Sequence, residues 1–226
     1  AGAQVERWVF GTSQIEKSLE TLAEKIKTCD VLALAGGFSA ADEPEGSAKF
    51  IATVFRSPLV KDAFHDLMER KGLVLGICNG FQALVKLGVF YRERIEDPRD
   101  IGMGLTYNRI GRHQSALVPV RPLHKASPWL RYVEDEAYWT PVSHGEGRFF
   151  MGEEEKKLLL EKKQIATVYE ENPNGSELHV EGLLSPSGRI FGKMGHNERL
   201  GENRFINVNH GKEMDIFRSA IDAIKG

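Results

Sequence analysis

One cysteine of this sequence lies in surroundings that favour nucleophilic chemistry. Cys78 is the centre of a Gly-x-Cys-x-Gly pattern that follows the apolar residues 73–77 and precedes residues 79–87, which have helical apolar spacing. This pattern is typical of a nucleophile elbow, a tight strand-to-helix turn that exposes its central side chain. The start of a helix favours a thiolate, and the N–H of Asn79 is placed to donate to a developing oxyanion. The alternative is a buried, unreactive thiol.

A thiol nucleophile needs a general base and a group that orients the base. His196 and Glu198 form a His-x-Glu pair directly after residues 189–193, which are predicted to form a strand. Residues two apart in an extended chain point to the same side, so this spacing predicts that Glu198 contacts the imidazole. An ordinary surface pair is the alternative. His65 lies inside a predicted helix and Cys29 ends another, so both are interpreted as structural.

Two glycine-containing segments are predicted to approach a ligand. Gly36 and Gly37 follow the apolar residues 31–35, at the end of a predicted strand, which is where open α/β sheets bind ligands. Their backbone N–H groups can turn toward a substrate oxyanion. His144 lies in the Ser-His-Gly-Glu-Gly-Arg sequence of residues 143–148, whose glycines indicate close backbone approach to a ligand. An ordinary surface loop is the alternative there.

The order of predicted elements indicates an α/β fold. Residues 31–35 and 73–77 are wholly apolar, as strands of a parallel sheet covered by helices are. A capping box of Ser13 and Glu16 predicts the start of the first helix, and Ser57-Pro58 begins a second. Alternation of strands and helices favours a three-layer sheet with right-handed crossovers.

The second part of the chain has a different pattern, with short apolar runs separated by turns. Turn sequences rich in Asn, Pro, Ser and Gly occur at residues 172–175 and 185–188. Two further helices are predicted, at residues 151–163 and 212–224. Strands are predicted at residues 105–107, 115–120, 137–142, 165–171 and 178–185.

Composition is that of an ordinary globular domain. The 226 residues are 41% hydrophobic and 27% charged, with a formal net charge of −2, which argues against a nucleic-acid or anionic-membrane surface. No apolar run approaches the ~20 residues that span a bilayer. Two cysteines cannot build a disulfide framework, which favours a reducing, cytoplasmic location. No metal-ligand spacing and no Walker-type phosphate loop occurs, so no metal is expected.

Four segments together resemble the class I glutamine amidotransferases, and more narrowly the glutaminase portion of phosphoribosylformylglycinamidine synthase. These segments, in the order of the family, are GGFS at 36–39, GICNGFQ at 76–82, SHGEGRF at 143–149 and NPNGS at 172–176. The resemblance covers the chain from its first residues to the closing helix. It implies a three-layer αβα, flavodoxin-like fold with a mostly parallel central sheet and peripheral antiparallel strands.

The resemblance also implies a role for each matching residue. Cys78 would attack the side-chain carboxamide of glutamine, with His196 and Glu198 completing the catalytic triad. The N–H groups of Gly37 and Asn79 would form the oxyanion hole. The residues that would hold the substrate glutamine are Gln82, His144, Gly145 and Glu146.

A glutaminase of this family delivers its ammonia to a synthetase. The resemblance implies a synthetase domain or subunit that uses ATP and Mg²⁺ to convert formylglycinamide ribonucleotide to the amidine, in de novo purine biosynthesis. No cofactor is expected in this domain itself, and neither nucleic acid nor membrane is an expected partner.

The sequence departs from the family pattern at two places. Gly195 and Asn197 flank His196, where many relatives have proline. The family's opening strand and its P-G-x-N-C-type loop are missing ahead of residues 1–10. Residues 1–226 are therefore interpreted as one amidotransferase domain that lacks its first strand and is the C-terminal part of a larger polypeptide.

Three other interpretations stay open at this stage. A glutaminase that serves a GMP or CTP synthetase would share the triad. A stress-protein or peptidase relative would share the elbow cysteine but not the late His-x-Glu pair. A non-catalytic regulatory or scaffolding remnant would leave Cys78 no more reactive than Cys29.

Overall fold

The computed structural model describes residues 1–37, 48–201, 204–205 and 211–226. The described helices are α1 Ile15–Thr28, α2 Lys49–Arg56, α3 Pro58–Glu69, α4 Asn79–Lys86, α5 Val89–Arg92, α6 Glu153–Glu161 and α7 Ile216–Lys225. The described strands are β1 Val31–Leu34, β2 Leu73–Ile77, β3 Met103–Thr106, β4 Gln114–Pro122, β5 Tyr138–His144, β6 Arg148–Met151, β7 Ile165–Tyr169, β8 Val180–Leu184 and β9 Ile190–Lys193.

Seven strands form one sheet in the order β1-β2-β9-β8-β7-β4-β5, and β3 and β6 form a separate pair. Strands β1, β2 and β9 run parallel, with Val31 opposite Leu73 and Val74 opposite Ile190. The four remaining pairings of this sheet are antiparallel. Strand β9 therefore pairs parallel with β2 on one side and antiparallel with β8 on the other.

The predicted α/β fold class is confirmed, and antiparallel pairing extends further into the main sheet than expected. The main sheet was expected to be mostly parallel, but only the pairings of β1 with β2 and of β2 with β9 are parallel. The reason lies in the connections, because parallel neighbours need a long crossover whereas antiparallel neighbours can be joined by a short turn. The turn at residues 185–189 joins β8 directly to β9.

Close packing of α4 against the sheet depends on glycines in β2 and β9. Helix α4 contacts β1, β2 and β9. A Cβ on Gly192 of β9 would overlap with the Phe81 ring of α4, and one on Gly76 of β2 would come within 2.6 Å of Leu84. Both of these helix side chains are fully buried. The helix that follows Cys78 is therefore held tightly on the strands that carry the candidate site.

Several predicted boundaries differ from the structure. The capping box is wrong: Gln14 occupies the N-cap of α1 and no side chain caps this helix, because Ser13 lies in a 3-10 turn ahead of it. The helix predicted at residues 151–163 is shorter, since Met151 ends strand β6. Strand β6 was not predicted, although its Phe149 and Met151 are buried and Phe150 is exposed.

No helix within the described ranges is long and apolar enough to cross a membrane.

Candidate active site

Cys78 occupies a strained turn between β2 and α4. Its backbone angles are φ 51° and ψ −106°, in a region that residues with a side chain rarely adopt. The Cys78 N–H donates to the Lys193 carbonyl at 2.8 Å, and the Cys78 carbonyl accepts from the Gln82 N–H at 2.9 Å. A Cβ on Gly80 would overlap with the Leu34 carbonyl of β1. The elbow predicted from Gly-x-Cys-x-Gly is thus present in the structure.

Two backbone N–H groups act on the Cys78 sulfur. Those of Asn79 and Gly37 each favour the thiolate, but burial has a larger and opposite effect, raising the pKa of Cys78 to about 11. The N–H groups thus act in the predicted direction, but they do not outweigh the burial of a side chain that is 7% exposed. Gly37 has φ 112°, which suits glycine and directs its N–H toward this side of the site.

His196 and Cys78 both lie against the same side of one glycine. A Cβ on Gly36 would be 3.3 Å from the Cβ of Cys78 and 2.6 Å from Cε1 of His196. His196 is fully buried, and its Nε2 has no hydrogen-bond partner within the part of the chain that the structure describes. A buried imidazole with one free nitrogen beside a thiol can exchange a proton with it.

Glu198 binds the other nitrogen of this imidazole. Its Oε1 is 2.6 Å from Nδ1 of His196. Burial raises the pKa of the Glu198 carboxyl, but the hydrogen bond and charge of His196 lower it by more, so that the net pKa is lowered. A carboxylate at this distance fixes the proton on Nδ1 and leaves Nε2 as the basic nitrogen.

The contact between these two residues is made differently from the prediction. An extended chain was expected, but Asn197–Arg199 form a 3-10 turn with His196 as its N-cap. His196 itself has φ −103° and ψ 81°, outside the helical region. The turn that follows brings Glu198 back toward the ring. The predicted contact between His196 and Glu198 is therefore present, but a 3-10 turn produces it and not the alternation of a strand.

A loop from the antiparallel part of the molecule completes the site. Gln82 of α4 donates from Nε2 to the Glu146 carbonyl at 2.5 Å, and the Cys78 sulfur is 3.9 Å from the Ser143 carbonyl. His144 is 3% exposed, and burial lowers its pKa to about 4, helped by the nearby charge of His113. The loop at residues 143–147 therefore lies against both the elbow and the helix that leaves it.

Comparison with known proteins identifies the family to which this arrangement belongs. The family described as CobB/CobQ-like glutamine amidotransferase domain matches residues 1–222. This chain belongs to that glutamine amidotransferase family. The resemblance inferred from the four sequence segments is confirmed.

Individual relatives agree with the family assignment. Phosphoribosylformylglycinamidine synthase subunit PurQ of Parasynechococcus marenigrum (strain WH8102) is 34% identical over 171 residues, covering 75% of this chain and 71% of that protein. The PurQ subunit of Aquifex aeolicus (strain VF5) is 31% identical, covering 84% of this chain and 82% of its own. A chain of the PurLQS structure from Thermotoga maritima aligns with a TM-score of 0.67 and 25% identity, covering 86% of this chain and 80% of that one.

The sequence did not single out Asn108, which anchors the 143–147 loop of the amidotransferase. This side chain is 2% exposed and uses both of its polar atoms. Its Nδ2 donates to the His144 carbonyl at 2.8 Å and to the Arg112 carbonyl at 3.1 Å, while Oδ1 accepts from the Gly147 N–H at 3.1 Å and lies 3.1 Å from Nδ1 of His144. No sequence pattern pointed to Asn108, because three of its four contacts are with His144 and Gly147, which only folding brings to it.

The NPNGS segment supports the same loop from another side. Asn174 is fully buried and donates from Nδ2 to the Gly147 carbonyl at 2.7 Å. The hydroxyl of Ser176 accepts from the Phe149 N–H at 3.0 Å. Neither residue contacts Cys78 or His196 in these hydrogen bonds. The segment was recognised only as a family motif, and the structure places it in contact with Gly147 and Phe149, behind the 143–147 loop.

The remaining sequence candidates lie away from this amidotransferase site. Cys29 is half-buried at the end of α1, where its sulfur lies 3.4 Å from the Ile26 carbonyl. Nε2 of His65 accepts from the Ile95 N–H at 3.1 Å, in agreement with a structural role. Within the described ranges, no group of three or more His, Cys, Asp or Glu side chains could hold a metal ion. Phe38, Ser39 and His210 fall outside the described residues.

Proposed function

We propose that this amidotransferase is the glutaminase component of a phosphoribosylformylglycinamidine synthase, acting in purine biosynthesis. The relatives at 34% and 31% identity carry the name of that subunit. The observation that carries the chemistry is the placement of Cys78 and His196 together against Gly36. A thiol, a base and N–H donors at one point form the set that acyl transfer from a carboxamide requires.

The first half of the reaction begins with a neutral thiol, because the pKa of Cys78 is about 11. His196 takes the thiol proton on Nε2 as the sulfur attacks the carboxamide carbon of glutamine. The oxygen of that carboxamide gains negative charge, and the N–H groups of Gly37 and Asn79 stabilise it. The imidazolium then gives its proton to the leaving nitrogen, which departs as ammonia and leaves a γ-glutamyl thioester on Cys78.

The second half of the reaction regenerates the thiol. His196, again neutral, takes a proton from a water molecule that attacks the thioester carbon. The carbon–sulfur bond breaks, the thiolate recovers the proton from the imidazolium, and glutamate is released. Glu198 stays ionised throughout, because its role is to hold Nδ1 of the ring.

The substrate is held by the residues around the 143–147 loop. Gln82, His144, Gly145 and Glu146 are the proposed contacts for the α-amino and α-carboxyl groups and the side chain of glutamine. The hydrogen bond from Gln82 to the Glu146 carbonyl supports this grouping, because it brings residues 64 positions apart to one place. Gly145 has open space where a Cβ would lie, so its backbone is accessible to a ligand.

The ammonia passes, in this proposal, to a synthetase component that binds ATP and Mg²⁺. The name PurLQS of the Thermotoga maritima structure supports such an assembly, since it combines PurQ with PurL and PurS. ATP and Mg²⁺ are assigned to the synthetase component and not to the residues of this chain. A cytoplasmic location fits the pathway.

The nucleophile is tested by labelling with an electrophilic glutamine analogue, followed by peptide mass spectrometry. We expect modification of Cys78 that excess glutamine prevents, and none of Cys29, which serves as an internal control. Cys78→Ala should abolish both labelling and ammonia release. Labelling of both cysteines to the same extent, insensitive to glutamine, would overturn the assignment.

The acceptor is tested by supplying glutamine as the only nitrogen source in the presence of synthetase components. We expect formylglycinamidine ribonucleotide to form only with the phosphoribosylformylglycinamidine synthase component. Production of GMP or CTP with the corresponding synthetase would instead assign the chain to another branch of the family.

A further inference from the structure

A fully buried ion pair lies directly beneath the loop that carries His196. Nζ of Lys193 is 3.0 Å from Oε1 of Glu181, and both side chains have no exposed surface. Burying two charges costs several kcal/mol for each ion unless other hydrogen bonds accompany the pair. The proposed reaction uses neither residue, so their presence in the core needs another explanation.

The pair binds both backbone polar groups of Gly195, the residue before His196. The Gly195 N–H donates to Oε1 of Glu181 at 2.7 Å, and the Gly195 carbonyl accepts from Nζ of Lys193 at 3.1 Å. A Cβ on Gly195 would overlap with Cγ2 of Thr140 and come within 2.7 Å of Oε1 of Glu181. Only glycine fits at this position.

The residue on the other side of His196 belongs to the same network. Oδ1 of Asn197 accepts from Nζ of Lys193 at 2.6 Å, and its Nδ2 donates to the Met214 carbonyl at 3.4 Å. Lys193 thus donates to Glu181, Gly195 and Asn197, which are as many acceptors as an ammonium has protons. Both residues that flank His196 therefore bind the buried ion pair.

Lys193 also connects this loop to the nucleophile. Its carbonyl accepts from the Cys78 N–H at 2.8 Å, and it lies opposite Ile77 in the pairing of β2 with β9. The remaining oxygen of Glu181 accepts from the Thr167 hydroxyl on β7, and the Glu181 carbonyl accepts from the Met194 N–H at 3.0 Å. Lys193 therefore contacts the elbow through its backbone carbonyl, and it contacts Gly195 and Asn197 beside His196 through its side chain.

We propose that Lys193 and Glu181 are positioning residues, which fix the distance and orientation of the His196 ring relative to Cys78. The pair holds the loop by its backbone on one side of the histidine and by Asn197 on the other. A displacement of a catalytic group by about 1 Å can lower the rate about 100-fold. A network that holds His196 in place can therefore change kcat without contacting the substrate. The proposal rests on the function assigned above to the same site.

The test uses the intact protein with both charges removed at similar volume, Glu181→Gln/Lys193→Met. A neutral pair avoids leaving one buried charge unpaired, so we expect the midpoint of urea unfolding to remain close to that of the wild type. We expect kcat for glutamine hydrolysis to fall about 10-fold to 100-fold, with KM nearly unchanged, because the glutamine contacts are untouched.

A spectroscopic readout separates positioning from general stability. In protein labelled with ¹⁵N-histidine, the Nδ1 proton that His196 shares with Glu198 gives a resonance absent from the His196→Asn variant. We expect this resonance to shift or disappear in the double variant. The matched control is Gln164→Met, since Gln164 is 1% exposed and binds the Leu184 carbonyl at the opposite end of β8. That variant should lose stability while keeping kcat and the resonance.

A folded double variant with wild-type kcat and an unshifted resonance would overturn the proposal. If the double variant does not fold, Asn197→Ala decides, since it removes only one acceptor of Lys193 and should shift the same resonance and lower kcat about 10-fold. Failure of the proposed function gives a different result. The wild type would then release no ammonia from glutamine, while the resonance would still respond to the double variant.

Discussion

At the residue scale, the charge state of the thiol is decided by two opposing effects. Two N–H groups favour the thiolate of Cys78, yet burial outweighs them and raises the pKa to about 11. A neutral thiol is a weak nucleophile until a base removes its proton. In the proposed mechanism the thiol therefore depends on His196 for activation, and the missing side chain of Gly36 leaves room for both residues at one place.

Gly36→Ala tests how far the reactivity of Cys78 depends on the position of His196, because it adds one methyl group beside both residues. The added methyl would lie 2.6 Å from Cε1 of His196, so the ring must leave its present position beside Cys78. We expect kcat for glutamine hydrolysis to fall about 100-fold, with a small change in the urea midpoint. Gly11→Ala is the control, because a Cβ there makes an ordinary 3.4 Å contact with Ser18. Equal activity of the two variants would contradict the arrangement.

At the element scale, the 143–147 loop is held by side chains behind it. Asn108 and Asn174 bind its backbone, and Gln82 of α4 binds it from the elbow side. The consequence is a buried imidazole at His144 whose Nε2 has no hydrogen-bond partner in the described portion of the chain. An ionised His144 would be buried without compensation, which makes this loop sensitive to acid.

The pH dependence of stability follows from the lowered pKa of His144, about 4 in the folded protein against 6.5 for the free side chain. Between pH 6.5 and 4, His144 binds a proton in the unfolded chain but not in the folded one. The free energy of unfolding therefore falls as the pH decreases from about 6.5 to 4. The full loss is about 3 kcal/mol for such a shift.

Urea unfolding at several pH values, for the wild type and His144→Gln, measures this contribution. Because other groups titrate in both proteins, the difference between the two curves isolates His144. We expect the wild type to lose stability relative to the variant as the pH decreases from 6.5. Parallel curves would contradict a buried, neutral His144.

Local sequence patterns predicted the elements that carry the catalytic residues. The Gly-x-Cys-x-Gly pattern predicted the elbow because glycines and an apolar strand are local requirements. The His-x-Glu spacing predicted the His196–Glu198 contact, although a 3-10 turn and not a strand produces it. Asn108, Glu181 and Lys193 were not predicted, because a buried polar residue is explained only by partners that folding brings to it.

At the scale of the whole molecule, the site lies where parallel pairing changes to antiparallel. Cys78 follows β2 and His196 follows β9, which belong to the parallel part, and the 143–147 loop follows β5 of the antiparallel part. Strand β9 borders both parts, so its packing against α4 affects the whole sheet. The antiparallel share of this sheet was underestimated, because the resemblance implied peripheral antiparallel strands, whereas β8, β7, β4 and β5 continue the main sheet.

Gly192→Ala tests the importance of this border strand. The added Cβ would overlap with the buried Phe81 ring, which has no space to move. We expect the free energy of unfolding to decrease by about 1–3 kcal/mol, as overpacked cores generally do. Gly104→Ala is the matched control, because its Cβ would meet Phe150, whose side chain is 40% exposed and can turn away. An equal loss in both variants, by thermal or urea unfolding, would argue against a special role for β9.

The neutral state of His144 has a consequence for what leaves the site. Ammonia is useful to an acceptor only while it keeps its lone pair, and ammonium has none to share. An imidazole with a pKa of about 4 is uncharged at neutral pH, so in the proposed reaction His144 offers no acidic imidazolium proton that would convert ammonia to ammonium. The burial that makes the loop sensitive to acid thereby also leaves the proposed ammonia one cationic acid fewer to meet.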